Sequence, residues 1–113
     1  MKKLIIALIC GMASLSATAG GNIANGEQLV KKYNCASCHG ANLSTPTAPD
    51  YPKLAGQHAE YLEHALKAYK RGDGPNGRNN AIMGGFAKPL SNSDMADIAA
   101  YVHSLPSELV LKR

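Results

Sequence analysis

Apolar residues recur at helical spacing in three stretches of the chain, and no stretch alternates with a period of two. The clearest run is Met95, Ile98, Ala99 and Val102, at i, i+3, i+4 and i+7, one face of an amphipathic helix. Ser91 and Asp94 stand in the capping-box relationship at its start, with Asp in place of the usual Glu, and Pro106 closes it. A second helix is expected over about residues 57–71. Tyr61, Leu62, Ala65, Leu66 and Tyr69 give its apolar positions, while His58, Glu60, Glu63, His64, Lys67 and Lys70 fill the rest. Gly72-Asp73-Gly74-Pro75-Asn76-Gly77 ends it. Earlier, Leu29, Val30 and Tyr33 share one helical face, opposite Glu27, Gln28, Lys31 and Lys32, with Asn22 or Asn25 able to cap. Gly26 costs this helix about 1 kcal/mol relative to Ala, so close contact with another helix is the expected reason for it. Between these helices, Gly40–Pro52 and Arg78–Leu90 read as loops. Pro46, Pro49 and Pro52 make the first of them stiff. The expectation is an all-α domain with long loops.

The N-terminus carries a different pattern. Met1-Lys2-Lys3 is a positive n-region, Leu4 to Ala13 an apolar h-region, and Ala17-Thr18-Ala19 an A-x-A cleavage site. Residues 1–19 are therefore expected to be a cleaved signal peptide, with one domain over 20–113 and export to the periplasm. The apolar run is shorter than the roughly 20 residues of a membrane span, so no integral membrane segment is expected after cleavage. Retention as an N-terminal anchor is the alternative. Cys10 follows Ile9 where a lipoprotein site wants a small residue, and it reads as apolar filler of the signal.

Composition sharpens the picture. A domain this short, with one Phe and no Trp, builds only a thin core unless a cofactor supplies apolar bulk. Half of the formal charge of +4 is Lys2 and Lys3, and no basic run suggests nucleic acid.

The chemistry sits in Cys35-Ala36-Ser37-Cys38-His39, the attachment signature of c-type haem. Each thiol adds to one vinyl group on the same porphyrin edge, so the sulfurs must be a fixed short distance apart. One helical turn supplies that distance and aims His39, a neutral imidazole ligand, at the iron. A redox-active dithiol would want a preceding strand in a βαβ pattern, and neither is present. A zinc site would need two more ligands, and no second cysteine pair exists. The candidates for the second axial ligand are Met83, Met95, His58, His64 and His103. Met95 belongs to the core face of the last helix, and the three histidines have polar neighbours. Met83 lies beside Gly84 and Gly85, which permit close approach of backbone to a flat ring. Its thioether would raise the reduction potential. The alternative for Met83 is a hydrophobic plug over a five-coordinate iron that binds gases or peroxide.

With these residues placed, the chain resembles class I bacterial cytochromes c, most nearly the single-haem cytochrome c-553 group and single domains of periplasmic two-haem cytochromes. Tyr51-Pro52-Lys53-Leu54-Ala55-Gly56-Gln57, Ile82-Met83-Gly84-Gly85 and the segment from Leu90 to Val102 carry the likeness beyond the motif. The resemblance implies the all-α cytochrome c fold, with helices packed around one haem c. It makes Cys35 and Cys38 the thioether positions, His39 the proximal ligand and Met83 the distal one. It also makes Pro52, with Pro49 close by, the carbonyl that accepts the His39 ring proton. Gly26 would pack across the last helix at Ile98 and Tyr101. The single C-x-x-C-H implies one haem.

The function so implied is a periplasmic one-electron carrier of the respiratory chain, not an enzyme. Its partners would be redox proteins: a reductase, dehydrogenase or terminal oxidase. Lys31, Lys32, Lys53 and Lys88 are candidates for a contact surface, or ordinary solvated lysines. The alternatives are a haem c subunit of a larger oxidoreductase, of the flavocytochrome sulfide dehydrogenase type, and an enzyme or gas sensor with a labile Met83.

Overall fold

Asn22 begins the first helix, its side chain accepting from the Asn25 amide at 3.0 Å and so satisfying one of the donors a helix start leaves unpaired. The resulting helix, α1 (Ile23–Lys32), is followed by α2 (Ala36–His39), α3 (Ala59–Arg71), α4 (Ala81–Ala87) and α5 (Asn92–Ser104). This computed structural model describes residues 20–107, and it has no strand among them. The expected signal segment, with Cys10, lies outside the described residues.

Helix α5 is the spine. Its start carries the full capping box: Asp94 N–H donates to Ser91 Oγ at 2.9 Å, and Ser91 N–H donates to Asp94 Oδ2 at 3.0 Å. Met95, Ile98, Ala99 and Val102 are all buried, Met95 to 1% exposure, so the periodic face is the core. They pack with Val30, Leu43, Ala55, Leu62 and Leu90 in one cluster, and α1 and α3 both lie against α5.

The crossing of α1 over α5 explains Gly26. A Cβ there would stand 1.9 Å from the Asp97 carbonyl oxygen and 2.8 Å from Tyr101 Cβ. The expected partner Tyr101 is present, but the closest approach is to the backbone of Asp97 rather than to Ile98, which turns into the core. Gly21 is equally tight, its Cβ position lying 2.3 Å from the Ala96 carbonyl. Asp97 itself is buried, and its carboxylate is satisfied from across the crossing. Oδ1 accepts from Asn22 N–H at 2.7 Å, and Oδ2 accepts from Asn25 Nδ2 at 2.6 Å. The carboxylate therefore meets the positive end of α1, where the macrodipole favours it.

Two departures from the periodic reading matter for the site. Residues 78–90, expected to be a loop, contain α4. Asn80 caps it, its side chain accepting from both Ile82 N–H and Met83 N–H at 3.0 Å, and the short helix lies against α3. Gly84 faces α3 at ordinary contact distance, a Cβ there lying 3.5 Å from the Tyr69 carbonyl, while a Cβ on Gly85 would meet only open space. The first helix also ends at Lys32, one residue short of the expected Tyr33, and Asn34 then adopts a left-handed φ of 54° before the cysteines. The second expected helix starts at Ala59 rather than 57.

Gly26→Ala is expected to cost about 1–3 kcal/mol, the range for forcing volume into a packed contact. Guanidinium unfolding measures it, and an unchanged midpoint would contradict this account of the crossing.

Candidate functional site

Cys35 is the N-cap of α2 and Cys38 sits within it, three residues apart on one helical turn. Neither is in a disulfide, and both are half-buried. Residues three apart on a helix share a face, with Cβ atoms about 5–6 Å apart. Burial pushes the Cys35 thiol up. The backbone hydrogen bond to it works the other way, and the neighbouring Cys38 adds to the rise. A reactive thiolate pair needs the reverse, a lowered pKa in an electropositive setting. This pocket suits a neutral sulfur, thiol or thioether. Among the described residues no group of three or more His, Cys, Asp or Glu side chains converges as a metal site would require.

His39 follows directly, buried to 6% exposure. The loop after it is tied back around it in three places. Gly40, at φ 91°, turns the chain, and a Cβ there would strike the Thr45 carbonyl at 2.0 Å. Asn42 Oδ1 accepts from Ser44 N–H and Thr45 N–H, at 2.9 and 3.0 Å. Thr47 then donates its N–H to the Cys38 carbonyl at 3.0 Å, covering an orphan acceptor at the end of α2. Leu43, buried to 2% exposure, offers its carbonyl to both Leu54 N–H and Ala55 N–H, at 2.9 and 3.0 Å.

These ties bring the Pro52 carbonyl to 2.9 Å from His39 Nδ1. A carbonyl only accepts, so the ring proton resides on Nδ1 and Nε2 keeps its lone pair. An acceptor for the Nδ1 proton, which fixes the tautomer and raises the basicity of Nε2, is the usual support for an imidazole that binds metal. Pro52 fills this place and Pro49 does not. Tyr51 tilts against the His39 ring, with centroids 6.3 Å apart and planes at 58°. Its hydroxyl is pushed up, mainly by the charge Cys38 could carry and by the hydrogen bond to it.

The other candidates divide as their surroundings dictate. Met83 lies in the first turn of α4, half-buried, with its amide held by Asn80. Met95 is core. His58, His64 and His103 are exposed, although His103 Nδ1 lies 2.8 Å from the Gln57 carbonyl. Lys31, Lys32, Lys53 and Lys88 are exposed too. Lys31 pairs with Glu27 at 3.1 Å, and Lys32 lies 5.3 Å from the Tyr33 ring centre.

Sequence reasoning missed the supports of α4. Asn80 just before an apolar run is a recognisable cap signal. The contact of Arg78 with Tyr61 and Tyr69 has none, because a turn separates them. Lys70 Nζ also donates to the Leu90 carbonyl, fastening the exit of α4 to α3.

Comparison with known proteins adds four findings. The Cytochrome c family profile matches residues 23–106. Cytochrome c-554(548) of Halomonas halodenitrificans is 46% identical over 84 residues, covering 74% of this chain and 96% of that protein. The thiosulfate dehydrogenase electron acceptor of Thiomonas intermedia is 40% identical over 72 residues, 64% of this chain but 31% of its own length. Among solved structures, reduced recombinant cytochrome c4 from Pseudomonas stutzeri superposes with a TM-score of 0.69 at 36% identity, over 78% of this chain and 47% of that one. The chain thus spans nearly all of the first relative and about half of cytochrome c4 or less of the acceptor.

Asn80→Ala should lower stability by about 1 kcal/mol, as the loss of a helix cap does. Asn80→Asp should restore most of it. Thermal unfolding of the two variants checks this, and equal losses would remove the capping role.

Proposed function

The chain belongs to the cytochrome c family, and we propose that it is a periplasmic one-electron carrier whose haem c is ligated by His39 and Met83. Cytochromes of this family carry covalently bound haem c and transfer electrons; they are not enzymes. When bound, the group supplies one-electron cycling between ferric and ferrous iron.

The observation that carries the reading is the pairing of His39 Nδ1 with the Pro52 carbonyl, directly after two unpaired cysteines on one turn. It leaves the Nε2 lone pair unspent. The chain's residues fit haem in three respects: two unpaired cysteines on one turn, an oriented imidazole, and a thin core. Cys35 and Cys38 would hold the group as thioethers. His39 would bind the iron on one side, and the Met83 thioether on the other. Two strong protein ligands leave no position for substrate, which suits a relay rather than a reaction at the metal. Apolar side chains on α4 are unusually exposed, Ile82 at 54% and Phe86 at 40%. Surface of this kind is what a helix beside a bound porphyrin would present.

The partners proposed are redox proteins that dock briefly, since electron-transfer encounters are small and weak. The relative named as an electron acceptor for thiosulfate dehydrogenase makes a dehydrogenase the first donor class to test. Among the described residues no helix is long and apolar enough to cross a membrane.

Met83→Ala should abolish the weak long-wavelength methionine–iron charge-transfer band of the oxidised holoprotein and give a high-spin spectrum. Met83→His should lower the reduction potential, within the roughly 0.8 V over which axial ligands tune haem. A band that survives Met83→Ala would show another residue on the iron.

A further inference from the structure

Seven residues make α4 too short to hold itself in water, and Gly84 and Gly85 weaken it further. Its position must come from what fastens its ends. The exit is held by Lys70 on the Leu90 carbonyl. The entry is held by Arg78, by both its backbone and its side chain.

Tyr61, Ala65 and Tyr69 line one face of α3 at successive spacings of four. The Arg78 guanidinium lies against this face, 5.6 Å from the Tyr61 ring centre and 5.2 Å from that of Tyr69. Nη2 donates to the Tyr61 hydroxyl at 3.1 Å and Nη1 to the Tyr69 hydroxyl at 3.4 Å. Those two hydroxyl oxygens, Tyr61 first, push an already high pKa further up. The backbone N–H of Arg78 donates to the Ala68 carbonyl at 2.9 Å, so residue 78 is bound to α3 at both ends. Two residues on, Asn80 takes the Met83 amide. The Tyr69 carbonyl in turn faces Gly84. One tyrosine therefore grips Arg78 with its ring and hydroxyl and seats the residue after Met83 with its backbone. The turn between α3 and Arg78 is itself closed, with Gly77 N–H donating to the Gly74 carbonyl at 3.2 Å and Arg71 Nε to the Asn76 carbonyl at 3.2 Å, so it delivers Arg78 to the α3 face.

We propose that Arg78, clasped by Tyr61 and Tyr69, is a positioning residue that holds α4 on α3 and thereby keeps Met83 on the iron. This rests on the reading of Met83 as the axial ligand. The thioether is a neutral, soft ligand, and its occupancy is a balance between seated and released α4. An anchor that favours the seated state lowers the apparent affinity of any competing ligand by the same factor.

The test titrates imidazole into oxidised holoprotein and follows loss of the methionine–iron band. Arg78→Ala should bind imidazole about tenfold more tightly than wild type, equivalent to about 1.4 kcal/mol. Arg78→Lys, which keeps the cation but not the fork that reaches both hydroxyls, should fall between. If Arg78→Ala does not accumulate as holoprotein, the Tyr61→Phe/Tyr69→Phe pair carries the test. It removes only the two acceptors and should shift affinity the same way by a smaller factor. An imidazole affinity within twofold of wild type, whatever happens to the unfolding midpoint, overturns the proposal and leaves Arg78 as a surface brace. Failure of the underlying reading looks different. Wild type would lack the band, and Met83→Ala would bind imidazole no more tightly than wild type.

Discussion

The rest of the fold hangs on a contact of backbone against backbone, Gly26 of α1 on the Asp97 carbonyl of α5. A crossing that close brings the Asp97 carboxylate to Asn22 and Asn25, so a buried charge is answered by the start of another helix. With α1 fixed, the chain leaves Lys32 at a set place and Asn34 turns it into the cysteines. With α5 fixed, Gly56 N–H reaches the Val102 carbonyl at 3.0 Å, and the far end of the loop around His39 is anchored on the same helix. Both sides of the His39 pocket are thus referred to one spine.

Against that frame the two faces of the site are built to different stiffness. On the His39 side, Thr47, Asn42 and Leu43 all bind backbone groups, the Pro52 carbonyl takes the His39 ring proton, and three prolines limit the loop further. On the Met83 side, a single short helix leans on α3 through a cap, an arginine and a lysine. A loop tied down through its backbone on one side and a short helix held largely by side chains on the other leave the two faces with different freedom to adjust.

What could be read from the amino-acid order followed how local each cause is. The capping box of Ser91 and Asp94 and the face of Met95, Ile98, Ala99 and Val102 are local and periodic, and both are present. The Pro52 carbonyl was reachable through family resemblance, though the ties that place it are not periodic at all. Helix α4 was hidden because its glycines lower helix propensity. It exists through the Asn80 cap and its seat on Tyr69, one a signal passed over and the other purely tertiary. Asp97 was invisible for a plainer reason: its partners lie 72 and 75 positions away. Gly26 announced a crossing and Tyr101 is met there as expected, but the closest approach is to the Asp97 backbone rather than to Ile98.

The joining of Asn22 and Asn25 to Asp97 also bears on the order in which the molecule can be made. As the chain is synthesised, α1 and Cys35–His39 emerge first, and the helix that must hold them emerges last. Until α5 arrives, Gly26 has nothing to press against, and the two thiols ride on an unpartnered segment open to whatever attaches there. Docking of the final helix then completes the core against which Cys35 packs. Which helix lies next to which thus sets the order in which the parts of the molecule can close.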